Sequence, residues 1–244
     1  ELYPLIVGSA TKDIGINTTL SMLIDYLPSP KDLKPIPAVD QDGNEIEVKT
    51  DTEESTSLTV FKNSYNPYQG LISIFKVQSG KVHPGDEFIC LNNQKEYKIN
   101  SLFSIQGEKL IPIEEASAGD IACTNRLDDM HLSYTLSSKE KPVLFKSVNY
   151  PTPVYFKAIV CDTKKDSDKL FPAVEKMMLE NPTIELRKED TTGQLLLGGL
   201  NLTHLNYFMD KLRNEYQIHF KEERRKISYR ETITKKATAE GRYI

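Results

Sequence analysis

The stretch Thr191–Tyr216 constrains the fold of this chain most, because it joins a short apolar run to a long helical pattern. Three leucines follow a Thr-Thr-Gly turn at Leu195–Leu197, which predicts a strand buried on both faces. Gly198 and Gly199 then permit either a turn or the close approach of a neighbouring group. The helical stripe that follows has steps of three and four and consists of Leu202, Leu205, Met209, Leu212 and Tyr216.

The composition excludes several broad classes of protein. The chain has 244 residues, which is enough for one large domain or for two to three small ones. Its net charge of -4 gives no overall basic character, so any contact with nucleic acid must come from a local patch. Three isolated cysteines indicate reduced thiols in a cytosolic protein, and no apolar window is long enough for a membrane span. We therefore expect a cytoplasmic protein with no membrane partner.

The first 31 residues predict a strand and a helix. Leu5–Val7 is a short apolar run, and helical spacing follows from a possible N-cap at Asn17 to a stop at Pro28. One strand and one helix cannot bury a core, so residues 1–31 are interpreted as the edge of an α/β domain. Because the chain starts at Glu1 and not at Met, we expect it to be part of a longer protein.

The next two segments differ in their patterning. Residues 32–56 are rich in Pro and charge and predict a linker, with a tight turn at Asp42 and Gly43. Residues 57–142 contain short alternating runs, such as Leu71–Val77, separated by Gly-, Pro- and Asn-containing turns. The pattern predicts a closed barrel or a sandwich, and we prefer a barrel because a small sheet of this size must hide its edges.

From residue 150 to residue 228 the order becomes β-α-β-β-α-β, the order of a ferredoxin-like sandwich. Its first helix is predicted to start at Asp166 or Ser167 and to end at Asn181. The fourth strand is predicted around Ile227 and Tyr229, and residues 229–244 read as the start of another segment. The predicted fold class is thus multidomain β and α+β: a barrel, a βαββαβ sandwich and a strand–helix remnant of an α/β domain.

Short motifs in this order resemble those of the elongation factor G family of translational GTPases. The motifs are Gly8-Ser9-Ala10, Asp25-Tyr26-Leu27-Pro28, Phe75-Lys76-Val77, Ala118-Gly119-Asp120, Thr192-Gly193-Gln194, His204-Leu205 and Tyr229-Arg230-Glu231-Thr232-Ile233. The resemblance covers nearly the whole chain. It implies the end of a GTPase domain, a β-barrel domain II, a ferredoxin-like domain III and the start of domain IV. Asn201-Leu202 stands where the family has Gly-Glu, which indicates a divergent paralogue.

The resemblance also implies a function and partners. A family member binds the ribosome through ribosomal RNA and promotes translocation of tRNA and mRNA, with the GTPase domain and domain IV of the same chain as neighbours. GTP and magnesium would be the cofactors of the intact protein. This chain contains no GxxxxGK loop and no NKxD, so we expect it to have no cofactor, metal or catalytic residue of its own.

The resemblance implies a guanine-binding loop at Ser9, Ala10 and Thr11. In GTPases of this class, backbone N–H groups after the last strand contact the guanine O6, and a small side chain leaves room for the base. The plainer interpretation is a loop that leads into a helix and binds nothing. The loop would function only in the intact protein.

Two further groups are candidates for contact with the ribosome or with a neighbouring domain. His204, beside Asn201, lies in the first helical turn, where a lone histidine is more often structural than catalytic. Arg224, Arg225 and Lys226, followed by Arg230, form a basic run that suits RNA phosphates. The alternative for that run is a solvated strand, since Glu222, Glu223 and Glu231 dilute its charge.

Two other functions stay open from the sequence. One is a ribosomal protection factor of the type that confers tetracycline resistance, which shares this domain order. The other is a non-GTPase adaptor that binds RNA through a barrel and a ferredoxin-like domain, although the motif at Gly8-Ser9-Ala10 argues against it. A small hydrolase is excluded for lack of a nucleophile pair or an anion-binding loop.

Overall fold

A computed structural model describes residues 3–66, 69–107, 109–127, 129–229 and 231–242. The chain forms two compact units, Glu1–Val148 and Asn149–Ile244. Among the described residues, no helix combines the length and the apolar character needed to cross a membrane.

In its described part, the first unit contains one α-helix and thirteen strands. The helix is α1 (Ile16–Tyr26). The strands are β1 (Ile36–Asp40), β2 (Glu45–Val48), β3 (Ser57–Asn66), β4 (Gly70–Ser79), β5 (Lys81–Val82), β6 (Glu87–Cys90), β7 (Lys95–Lys98), β8 (Phe103–Gln106), β9 (Lys109–Pro112), β10 (Ala116–Ser117), β11 (Ile121–Asn125), β12 (Thr135–Ser137) and β13 (Val143–Phe145).

The N-terminal prediction is correct for the helix and wrong for the strand. Leu5–Val7 forms no strand in the described part of the chain, because no other segment there pairs with it. Gly15 is the N-cap of α1, and Asn17 lies inside the first turn. Gly15 has φ +77°, and a Cβ on it would lie 3.1 Å from the carbonyl oxygen of Val7, which explains a glycine at this cap. The assignment of 1–31 to a GTPase domain stays a prediction.

The predicted linker at 32–56 is wrong, because this segment contains two paired strands. β1 pairs with β2 on one side and with β13 on the other, all antiparallel. The turn at Gly43 is confirmed: its φ is +84°, and the Asp40 carboxylate accepts the N–H groups of Asp42 and Asn44 at 2.9 Å. Proline and charged residues obscure the strand pattern of this segment in the sequence. The apolar side chains of β1 and β2 form a core only together with Val143 and Phe145 of β13.

An eight-stranded antiparallel sheet makes up most of the first unit, in the order β7-β6-β12-β3-β4-β11-β8-β9, with β5 and β10 as a separate ribbon. The predicted alternation in β4 is confirmed, since Phe75 and Val77 are fully buried while Lys76 between them is not. The predicted β-barrel class of this unit is confirmed.

The second unit has the predicted βαββαβ order. Its elements are β14 (Tyr155–Cys161), α2 (Lys164–Glu180), β15 (Glu185–Lys188), β16 (Leu195–Gly199), α3 (Leu202–Asn214) and β17 (Phe220–Glu223). The antiparallel sheet has the order β15-β16-β14-β17. Leucine, valine and methionine side chains of α2 and α3 pack on one face of it, against Ile159, Leu197 and Phe220. The ferredoxin-like fold class is confirmed.

Two details of the second unit differ from the sequence prediction. Thr163 caps α2 by accepting the Asp166 N–H at 3.1 Å, so the helix begins earlier than predicted. The fourth strand is β17, because Phe220 packs in the core whereas Ile227 and Tyr229 are 71% and 83% exposed. Periodicity alone could not distinguish these two short runs.

The two glycines after the leucine run belong to β16 and form no turn. A Cβ on Gly198 would lie 2.5 Å from Cε1 of Phe156, and one on Gly199 would lie 3.0 Å from Nδ1 of His204. Of the two predicted reasons for these glycines, close approach is therefore correct and a turn is wrong.

Candidate functional site

The guanine-loop candidates form a tight 3-10 turn before α1. Ser9 exchanges both backbone hydrogen bonds with Ile14 at 3.0 Å, so its N–H is used within the chain. Ala10 and Thr11 follow in the turn and are exposed. Of the three candidates, Ala10 and Thr11 remain available for contact with a base. The N–H of Ser9 does not.

His204 links three segments of the second unit. Its Nδ1 accepts the N–H of Leu200 at 3.2 Å, which places the proton of the neutral ring on Nε2. Nε2 lies 3.4 Å from Oγ1 of Thr183, and that hydroxyl donates to Oδ1 of Asn181. The ring also meets Phe208 edge to face, with centroids 4.8 Å apart. Burial lowers the pKa of His204, so the neutral form is favoured.

Asn201 is the N-cap of α3, since its Oδ1 accepts the N–H of His204 at 2.8 Å. Asn201 and His204 together therefore fix the turn between β16 and α3 and join it to the end of α2. Their observed contacts are structural, in agreement with the plainer of the two sequence interpretations for His204.

The basic run begins one residue beyond β17. We call residues Arg224–Lys226 the strap. The side chain of Gln194, which is nearly buried, donates from Nε2 to the carbonyl oxygen of Arg224 at 3.1 Å and accepts the Lys226 N–H at 2.7 Å. One amide side chain thus supplies the donor and the acceptor that a neighbouring strand would supply. Arg225 also pairs with Glu189 at 3.1 Å.

The strap approaches the face of the sheet that carries no helix in the described part of the unit. Ile159 and Leu197 point to the helices, so their alternate neighbours point to the other side. The register places Phe156 opposite Gly198 and Gly198 opposite Glu185, so Phe156, Gly198 and Arg187 meet on this helix-free face.

An aromatic ring and two guanidinium groups form a cluster on the helix-free face. Cζ of Arg187 lies 4.3 Å from the ring centroid of Phe156, and Cζ of Arg225 lies 5.7 Å from it. Both arginine side chains are somewhat less than half exposed. Cation–π contact and packing on Gly198 hold the cluster in place.

The structure brings together only some of the predicted residues. Arg224, Arg225 and Lys226 lie in one exposed segment, whereas Asn201 and His204 occupy the turn before α3. Arg230 lies outside the described residues. Sequence reasoning missed Phe156 and Arg187, and it noted Gln194 only as a family motif. The alternation in β14 and β15 places Phe156 and Arg187, but only the sheet register shows that they meet.

The cysteines have no site of their own in the described residues. Burial raises the pKa of Cys123 to about 11 and also raises that of Cys90. A thiol that stays protonated at neutral pH is a poor nucleophile and a poor metal ligand. Cys90 and Cys123 therefore act as small core residues.

The fold and site together define a class: a multidomain protein with a β-barrel followed by a ferredoxin-like sandwich that presents cations on its helix-free side. The family model for elongation factor G domain 2 matches residues 55–139, and that for elongation factor G domain III matches residues 150–224. The two together cover more than half of the chain. This chain belongs to the elongation factor G family.

Similar proteins agree with this assignment. Elongation factor G of Ureaplasma parvum serovar 3 is 33% identical over all 244 residues, and that of Ureaplasma urealyticum serovar 10 is also 33% identical. The chain spans 36% of the length of each of these relatives. A crystal structure of a protein from Thermus thermophilus superposes with a TM-score of 0.74 and 25% identity, over 93% of this chain and 32% of that one.

Proposed function

We propose that the chain is part of a ribosome-binding translational GTPase of the cytoplasm that promotes translocation of tRNA and mRNA during elongation. The observation that carries the proposal is the match of this chain over its full length to elongation factor G, with two domain models in consecutive order. The barrel and the ferredoxin-like unit bind ribosomal RNA and relay the nucleotide state. Their neighbours are the GTPase domain and domain IV of the same protein.

The RNA contact is assigned to the strap. Arg224, Arg225 and Lys226 are exposed, and their backbone is held by Gln194, so their side chains project from a fixed segment. Arg230 extends this run along the sequence. His204 and Asn201 contribute by fixing the turn at the start of α3, which a neighbouring domain or the ribosome can contact.

GTP and magnesium belong to the intact protein in this proposal. Ala10 and Thr11 would contact the guanine, but this sequence offers no GxxxxGK loop for the phosphates and the metal ion. The residues present do not make a complete nucleotide site. We therefore expect no GTP binding by this chain in isothermal titration calorimetry, and a measurable affinity would contradict that expectation.

Co-sedimentation with bacterial ribosomes at several salt concentrations tests the proposal. The unaltered chain should bind, and replacing Arg224, Arg225 and Lys226 together with Gln should lower the slope of log affinity against log salt by about 3. A matched control replaces Lys164, Lys165 and Lys169 on α2, which are also exposed, with Gln. Absence of ribosome binding by the unaltered chain, or an equal loss in the control, would reject the proposed function.

A further inference from the structure

We propose that the helix-free face of the second unit binds an unpaired RNA base. The base stacks on the guanidinium of Arg187, which itself lies over the ring of Phe156. The inference deepens the proposed function and rests on its RNA contact. It names what this face recognises beyond phosphate charge, and it assigns a role to two residues outside the basic run.

The ring of Phe156 is held by the backbone beneath it. A Cβ on Gly198 would come within 2.5 Å of Cε1 and 2.9 Å of Cδ1 of the ring, so only a glycine lets the ring lie this close to β16. Beneath this cluster, Leu196 and Ala158 are almost fully buried, although no helix of the described residues covers this side of the sheet. The side of the Phe156 ring that faces the sheet is thus packed, and the ring is already in position before a ligand binds.

The guanidinium of Arg187 provides the outer layer of the stack. It lies over the ring at 4.3 Å, and the side chain is 43% exposed. Guanidinium planes and aromatic rings are the side-chain groups on which unpaired bases stack in RNA complexes. Arg225, 5.7 Å from the same ring, is placed to bind the phosphate next to that base.

The carboxylates near Phe156 do not prevent Arg187 and Arg225 from binding RNA. Glu185 lies 3.6 Å from Arg187, and Glu189 lies 3.1 Å from Arg225, both as partly exposed pairs. Exposed ion pairs contribute roughly 1 kcal/mol or less, so phosphates can replace these carboxylates. With Arg224 and Lys226 on the strap, cations outnumber anions in this cluster, which suits an anionic occupant. The guanidinium plane over the ring of Phe156 favours RNA over an acidic peptide, because a base can stack on it and a carboxylate cannot.

The test compares two RNA oligonucleotides of equal length and charge, an oligouridylate and the same oligomer with abasic riboses, by fluorescence anisotropy. Stacking contributes about 1–3 kcal/mol per base, so the unaltered chain should prefer the base-bearing oligomer by at least about fivefold. Arg187→Lys keeps the charge but removes the plane, and it should bring this preference close to one. Phe156→Leu keeps an apolar side chain but removes the ring, and it should do likewise. Lys164→Gln is the control and should keep the preference.

The outcomes test the base stack separately from the proposed ribosome contact. If the unaltered chain binds both oligomers equally, or if Arg187→Lys and Phe156→Leu both keep the preference, the stack is rejected while the ribosome contact of the strap stands. If a polyglutamate peptide of equal charge binds at least as tightly as the oligouridylate, RNA is the wrong occupant. Failure of the proposed function is scored separately, as loss of ribosome co-sedimentation by the unaltered chain.

Discussion

At the scale of single residues, His204 makes the second unit sensitive to pH. Its neutral ring accepts the Leu200 N–H, and burial lowers its pKa from the ordinary 6.5. Protonation of Nδ1 would place an N–H donor opposite the N–H of Leu200, and the hydrogen bond between them would be lost. Because the folded state binds the proton less readily than the unfolded state, this contribution is complete above about pH 6.5 and is lost as pH falls towards the lowered value.

We therefore expect hydrogen-exchange protection of α3 to fall more between pH 7.5 and pH 5 in the unaltered chain than in His204→Gln, after correction for intrinsic exchange. The glutamine can still accept from Leu200 but does not titrate in this range. Carboxylates titrate equally in both proteins, so the difference isolates the histidine. Equal losses in the two proteins would show that His204 does not set this dependence.

The roles of single residues were partly readable from the sequence. The position of His204 in a first helical turn predicted a structural group, and its contacts agree. Its partner Thr183 was not predictable, because it belongs to the α2–β15 connection, 21 positions away in the sequence. The role of Phe156 was hidden for the same reason, since its neighbour Gly198 is 42 positions away in the sequence.

At the scale of elements, the strap is held mainly by one side chain, Gln194. Gln194→Leu removes the acceptor for Lys226 N–H and the donor for the Arg224 carbonyl. We expect faster hydrogen exchange at the strap amides and unchanged exchange in β14, because each lost hydrogen bond is worth about 0.5–1.5 kcal/mol.

A matched variant separates the two hydrogen bonds of this amide. Gln194→Glu keeps an acceptor for Lys226 and loses the donor to Arg224, so exchange at Lys226 should lie between that of Gln194→Leu and that of the unaltered chain. Exchange can be measured by NMR on the isotope-labelled chain. If Lys226 exchanges equally in all three proteins, the strap is held by other contacts.

Local patterns predicted elements well where burial was strong. Leu205, Met209 and Leu212 are buried as the helical spacing required, whereas Leu202 on the same stripe is 45% exposed and Tyr216 is half-buried. Leu196 and Leu197 are buried in a strand as predicted, and Leu195 is half-buried. The prediction failed for β1 and β2, because their sheet is completed by β13, which pairs with β1 from about 100 residues further along the chain. It also failed for β17, because a four-residue strand with two glutamates carries little pattern of its own.

At the scale of the whole molecule, each unit has its own core. The core of the second unit draws all of its members from residues 159–220, around the fully buried Leu205. Leu205→Ala should destabilise this unit by about 2–5 kcal/mol, because it leaves a cavity in a packed core. Peptide-resolved hydrogen exchange in increasing urea should show the change in residues 149–229.

Leu58→Ala is the matched control, since Leu58 is fully buried in the first unit. It should lower protection in the barrel by a similar free energy and leave α3 unaffected. If either substitution lowered protection equally in both units, the two cores would be unfolding as one cooperative system, contrary to this expectation.

The sequence by itself determined the βαββαβ order of the second unit, the division into barrel and sandwich, and the resemblance to a family. These depend on local periodicity, turn residues and short motifs, all of which lie close together along the chain. Only the tertiary structure decided which face of the second sheet carries Phe156 and Arg187 and how Gln194 holds the strap. The same is true of the pairing of β1 with β13. These contacts join residues far apart in sequence, and their energy exists only once the sheet register has set the side chains within reach of one another.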